Sequence, residues 1–218
     1  VWRSARSAHL CTALNSTSKL FLSICVLCIA EVVLCRAIFA ILQRCHHVSI
    51  NCDYIYQNYI NLARNPDYPN QHSEIFDHVL DNADFRCQFV NRYDDLINTT
   101  FQANNVNAII DEMKTELAPA IPAHITNWSS LMGPYSYTWW LNSVNNIKNY
   151  NGSRIFTARE HLNTSLSLQG QKLVELAASP TNSGHIKVNS ILPPLPWDGI
   201  YHGGCPITTE AIPSFGYL

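Results

Sequence analysis

Charge is scarce in this 218-residue chain: Asp, Glu, Lys and Arg make up 14% of it, against about 25% in ordinary soluble domains. Uncharged polar residues fill the deficit, above all Asn, while the apolar share of 47% is ordinary. With 14 Lys and Arg set against 16 Asp and Glu, no basic face is available to track phosphates, and nucleic acid is not an expected partner. Catalytic signatures are missing as well. The chain has no Gly-rich phosphate loop, no Gly-x-Ser-x-Gly elbow, no His-Glu-x-x-His pair and no dinucleotide fingerprint. His161 beside Glu160 is the nearest approach to an acid/base pair, and Glu160 is occupied by a Thr157-x-x-Glu160 capping box. The expectation is a non-enzymatic protein without a cofactor. Methionine is rare too: the chain opens on Val1 and its first Met is Met113, which reads as a processed or truncated start.

What is present is led by Leu20 to Leu42, a run of 23 residues interrupted by Ser23, Glu31 and Arg36. As a helix it would be roughly 34 Å long, enough to cross a hydrocarbon core of about 30 Å, so the pattern predicts a transmembrane helix. Glu31 stands at its midpoint. At about 100° per residue, Cys28, Glu31 and Cys35 share one stripe, and Arg36 points roughly 140° away from Glu31. Arg36 can reach the headgroups, whereas Glu31 needs a donor from a neighbouring helix or a proton of its own. The predicted partner contact inside the membrane is therefore Cys28, Glu31, Cys35 and Arg36, with other membrane-protein subunits and the lipid bilayer as partners.

Residues 1–19 carry Arg3, Arg6 and Lys19 and no acid, while Arg44 stands alone just after the run. That bias places the N-terminus inside and the bulk of the chain on the non-cytosolic side. The secretory or cell-surface membrane and the mitochondrial inner membrane both fit. On that side Cys45, Cys52, Cys87 and Cys205 are candidates for up to two disulfides in three possible pairings. His46, His47 and His202 are weak metal candidates, because their spacing is not that of a recognised zinc module.

Residues 43–179 read as a helical extramembrane domain. Ile55, Tyr59 and Leu62 give a short stripe that stops at Asn65-Pro66. Ile75, Phe76, Val79, Leu80 and Ala83 follow, with Asp77, Asp81 and Asp84 on the opposite, solvated face. Phe85, Phe89, Tyr93 and Leu96/Ile97 continue toward Phe101, and Val106, Ile109, Ile110, Met113 and Leu117 mark a further helix ended at Pro119. A Pro-punctuated connection precedes a helix from Tyr135 to Tyr150, ended by Asn151-Gly152. A last helix starts at the capping box and runs to Pro180 through Leu162, Leu166, Leu173 and Ala177.

From Pro180 to Leu218 periodicity disappears, and Pro193-Pro194, Pro196, Gly203-Gly204, Pro206 and Pro213 read as an irregular, extended Pro/Gly-rich tail. The predicted fold is thus mainly α: a basic flank (1–19), a transmembrane helix (20–42), a helical domain (43–179) and the tail (180–218). Beyond the anchor, Asn98, Asn127, Asn151 and Asn163 head Asn-x-Ser/Thr glycosylation signals. Asn127, in a loop, and Asn151, at a helix end, are the better placed of the four. The function expected is a single-pass accessory subunit of a membrane complex that docks through its helix and clamps neighbours with its outer domain and tail. Two alternatives compete: a type II cell-surface or viral glycoprotein with a ligand-binding ectodomain, and a membrane-tethered metal enzyme or hydrolase.

Overall fold

The computed structural model describes residues 56–64, 71–132 and 136–217. Among them six α-helices are followed by four strands. The helices are α1 (Tyr59–Arg64), α2 (Gln71–Leu80), α3 (Ala83–Asn98), α4 (Ala103–Leu117), α5 (Ile121–Met132) and α6 (Tyr137–Ser165). The strands are β1 (Gln171–Leu176), β2 (Gly184–Val188), β3 (Trp197–His202) and β4 (Thr209–Pro213).

Helix α3 is the axis of the core. Asn82 starts it, its side-chain oxygen accepting from the Phe85 N–H at 3.0 Å, which satisfies one donor that the first turn would otherwise orphan. The stripe Phe85, Phe89, Tyr93 and Leu96/Ile97 is buried, as its helical spacing requires, together with Phe76 and Leu80 of α2, Ile60 of α1 and Ala158 and Leu162 of α6. Phe76 meets Phe89 edge-on at 5.4 Å between ring centroids. Each such ring contributes about 1.5–3 kcal/mol by leaving water.

Short α1 is held by polar clamps. Asn58 accepts from the N–H groups of Ile60 and Asn61 at 3.1 Å. Arg64 reaches Asp77 of α2 at 2.7 Å through Nε and donates through Nη1 to the Ser165 carbonyl at 2.6 Å, where the exposed carbonyls of a helix end favour a cation.

Two helical boundaries differ from the sequence expectation. The segment around Pro122 is helix α5, because that proline is its second residue, a position whose N–H has no intrahelical partner to lose. Helix α6 does not stop at Asn151-Gly152 but runs unbroken for 29 residues from a Ser136 cap that accepts from the Trp139 N–H at 3.1 Å. Thr157 is no cap: its hydroxyl donates back to the Arg154 carbonyl at 3.1 Å, an i−3 bond within the helix.

The mainly-α expectation fits in part, since helices predominate among the described residues, but the irregular tail is corrected by the strands. β1 pairs antiparallel with β3, Leu173 opposite Ile200, and β2 pairs antiparallel with β4, Ile186 opposite Ala211. Leu173 is not a helical residue in line with Leu166. Ser167 (φ 51°) and Gly170 (φ 74°) turn the chain out of α6 before β1 begins. In β3, Gly199 leaves the space across which the Trp197 ring lies, since an added Cβ would collide with that ring. Trp197 is then free to meet Tyr201 edge-on at 6.4 Å.

The membrane expectation is corrected too. No helix among the described residues is long and apolar enough to cross a membrane. The longest, α6, carries Asn142, Asn145, Asn146, Lys148, Asn149, Arg154, Arg159 and Glu160, a polar load that hydrocarbon would not accept. The run 20–42, with Cys28, Glu31, Cys35 and Arg36, lies outside the described residues. The single-pass, N-inside placement therefore has no counterpart in the described fold.

Candidate functional site

Opposite the aromatic stripe, α3 carries Cys87, Asn91, Asp94, Asp95 and Asn98 at the i, i+4, i+7, i+8 and i+11 spacing of one helix face. Every one of them holds the strand-bearing segment. Cys87 is disulfide-bonded to Cys205 across 118 residues of chain. Asn91 donates to the Pro206 carbonyl at 2.9 Å. Asp94 accepts from the His202 N–H at 2.9 Å through Oδ2. Asn98 both donates to the Ile200 carbonyl at 2.8 Å and accepts from the Ile200 N–H at 3.0 Å. As α3 ascends from 87 to 98, its partners descend from 205 and 206 to 200.

Asp95 accepts four hydrogen bonds. Its Oδ2 accepts from the Ser190 N–H at 3.1 Å and the Ser190 hydroxyl at 2.5 Å. Its Oδ1 accepts from the Tyr201 hydroxyl at 2.7 Å and from Asn189 Nδ2 at 3.4 Å. Asn189 in turn accepts from the Thr208 N–H at 2.8 Å, so one carboxylate gathers the turn after β2, the residue before β4 and the end of β3. Burial, and then Asp95, push the Tyr201 phenol well above its ordinary range.

Asp94 faces His202. Nδ1 of the imidazole lies 2.9 and 3.0 Å from the two carboxylate oxygens, and Nε2 lies 3.1 Å from the Arg159 carbonyl oxygen. Asp94 is 0% and His202 2% exposed. Burial holds the Asp94 carboxyl above the usual carboxylate range, with the His202 hydrogen bond acting in the opposite sense. Arg159 closes the cluster from α6, its Nη2 donating to Asn98 Oδ1 at 2.8 Å. Burial lowers the pKa of that guanidinium, and Asp94 partly offsets the effect.

Chemically the cluster fastens rather than reacts. Both ring nitrogens of His202 are engaged, Asp95 accepts four hydrogen bonds, and neither carboxylate is exposed to solvent, so a substrate or metal could enter only by breaking the packing. No group of three or more His, Cys, Asp or Glu that could hold a metal ion occurs among the described residues.

The residues singled out from sequence are scattered. His46, His47, Cys45 and Cys52 lie outside the described residues. Cys87 and Cys205 are bonded to each other. Of the four Asn-x-Ser/Thr signals, Asn98 is buried in the cluster, and Asn163 accepts from the Gly170 N–H at 3.0 Å. Asn151 and Asn127 stand within α6 and α5 rather than at a helix end and in a loop, Asn127 exposed and Asn151 half-buried. Asp94, Asp95 and Asn98 carried one readable signal, a polar stripe at helical spacing on α3, but such a stripe reads as a solvated face until a partner is known; Arg159, on α6, carried none.

A family model described as CotH kinase protein matches residues 43–155, just over half of the 218-residue chain. No curated protein and no solved structure matches. The matched stretch contains all of α3, with the Asp94, Asp95 and Asn98 cluster, and most of α6. The chain belongs to the CotH kinase protein family.

Proposed function

We propose that the chain acts within a phosphotransferase, which moves a phosphoryl group from a nucleoside triphosphate to an acceptor, and that its described residues supply structural support rather than the transfer centre. The family match supports the first half. One observation carries the second: Asp94 and Asp95 are fully buried and bonded to the chain itself. Phosphoryl transfer needs carboxylates that a metal-bound phosphate can reach.

Titrating Mg·ATP onto the full chain is expected to raise its melting temperature by linkage. Absence of any rise at millimolar nucleotide would remove the phosphotransferase reading. Asp95→Asn is expected to lower the melting temperature while leaving the nucleotide-induced increment in place. An unchanged melting temperature with the increment lost would assign Asp95 to the chemistry and overturn the structural half.

A partner-contacting role, without the membrane, is a second reading. It is favoured by Ile109, Met113 and Leu117, which α4 presents to solvent at i, i+4 and i+8 with 55%, 49% and 48% exposure. If that stripe is covered in an assembly, the double change Ile109→Ser and Met113→Ser will reduce the native complex to a smaller species on size-exclusion chromatography with the melting temperature retained.

A further inference from the structure

The contacts around His202 assign its protons. A carbonyl oxygen can only accept, so the 3.1 Å contact of Nε2 with the Arg159 carbonyl assigns the tautomer with a hydrogen on Nε2. Nδ1 lies within 3.0 Å of both Asp94 oxygens, and that contact is attractive only with a second proton in it, whether on nitrogen or on oxygen. Either way the pair is neutral as a unit. Without that proton, a nitrogen lone pair would face two carboxylate oxygens inside a site closed to water, and the pair would become a buried anion.

We propose that the Asp94–His202 pair is a proton-dependent latch between α3 and β3, closed while the shared proton is present and opened when it is lost at alkaline pH. The charged and titratable groups around the pair are Asp95 and Tyr93 on α3, Arg159 on α6 and Tyr201 on β3. Arg159 brings a positive charge, but Asp95 adds a second carboxylate, so deprotonation leaves the cluster with excess negative charge. Burial acts in the same direction, holding the Asp94 carboxyl above its ordinary range.

In the unfolded chain a histidine has given up its proton above about pH 6.5 and an aspartate is ionised above about pH 4. The closed state therefore holds one proton more than the unfolded state at neutral and higher pH. Its advantage is full near about pH 6.5 and is lost as pH rises through the titration of the closed pair, by up to about tenfold per pH unit. Opening would detach the β3 edge at Ile200 and His202 from α3. The Cys87–Cys205 disulfide, three residues beyond His202, would keep the segment tethered, so the opening is local and reversible.

Hydrogen-exchange protection of residues 197–202, corrected for intrinsic exchange, tests this on the full chain with the disulfide intact. Between about pH 6.5 and about pH 9.5 the wild type is expected to lose protection by at least about tenfold. Asp94→Asn is the decisive variant. Its Oδ1 can accept from the His202 N–H and its Nδ2 can donate to Nδ1 of a neutral imidazole, so the bonds survive without a titrating proton, and protection should not change with pH. Wild-type protection that is flat, or Asp94→Asn protection that falls as steeply as wild type, overturns the latch. Should Asp94→Asn fail to fold, the double change Asp94→Leu and His202→Phe replaces the pair by apolar groups and is expected to be equally flat. Tyr201→Phe should keep the alkaline loss; a flat profile there would give the proton to the phenol and overturn the assignment.

Discussion

The side-chain amide of Asn98 lies against the backbone of Ile200 as a neighbouring strand would, accepting from its N–H at 3.0 Å and donating to its carbonyl at 2.8 Å. On its other edge β3 is paired with β1. One side chain from a helix thus completes a sheet edge whose polar groups would otherwise be buried without partners.

Asn98→Ala should therefore cost more than a single hydrogen bond. It strands the N–H and C=O of Ile200 and removes the acceptor of Arg159 Nη2, and each buried unsatisfied group costs about 1–3 kcal/mol. A loss of about 3 kcal/mol in urea denaturation is expected. Asn98→Asp keeps the acceptor but turns a carboxylate toward the Ile200 carbonyl, and should also fold less stably than wild type.

Reducing the Cys87–Cys205 bond, or making Cys87→Ser, should lower stability by about 2–5 kcal/mol. The bond closes a loop of 118 residues, and long loops gain most from closure. Thermal melts with and without reductant measure it, and the Cys87→Ser protein should show no further response to reductant.

Gly152→Ala should stabilise the protein. Gly152 sits inside α6 with nothing within 4 Å of the position a Cβ would take. Glycine in a helix interior costs about 1 kcal/mol relative to alanine. A gain of that order, with unchanged helical circular dichroism, is the expected result.

His161 gives the protein an acid-side dependence opposite in sense to the latch. Burial and the neighbouring Arg154 hold its pKa below the ordinary 6.5, and Arg154 Nη1 lies 3.3 Å from its Nδ1, which accepts in the neutral imidazole. The folded state thus binds fewer protons than the unfolded one once pH drops below about 6.5. Stability is fully present above that pH and falls as pH descends toward the folded pKa. His161→Gln should flatten the fall in melting temperature between about pH 7 and about pH 5.

Sequence by itself determined the elements whose signal is periodic and local. The aromatic stripe Phe85, Phe89 and Tyr93 fixed α3 and its buried face, because a 3.6-residue repeat of large apolar groups has one favourable solution. The Val106 to Leu117 pattern likewise placed α4, although the structure leaves Ile109, Met113 and Leu117 exposed, since periodicity says that a face exists and not what covers it. Pro122 misled because proline breaks a helix only beyond its first turn. Gly152 misled because a long helix offsets one poor residue.

Tertiary structure alone decided the rest. β1 through β4 are five or six residues long and separated by proline-bearing connections, and their pairings join residues far apart in sequence, so no local rule announces them. The Asn91, Asp94, Asp95 and Asn98 stripe is composed like a solvated helix face. It became the grip on the β segment only because His202, Tyr201, Ile200 and Ser190 arrive about 100 residues later to satisfy it. A polar group's role depends on whether water or protein meets its lone pairs, and that is settled by the path of the whole chain.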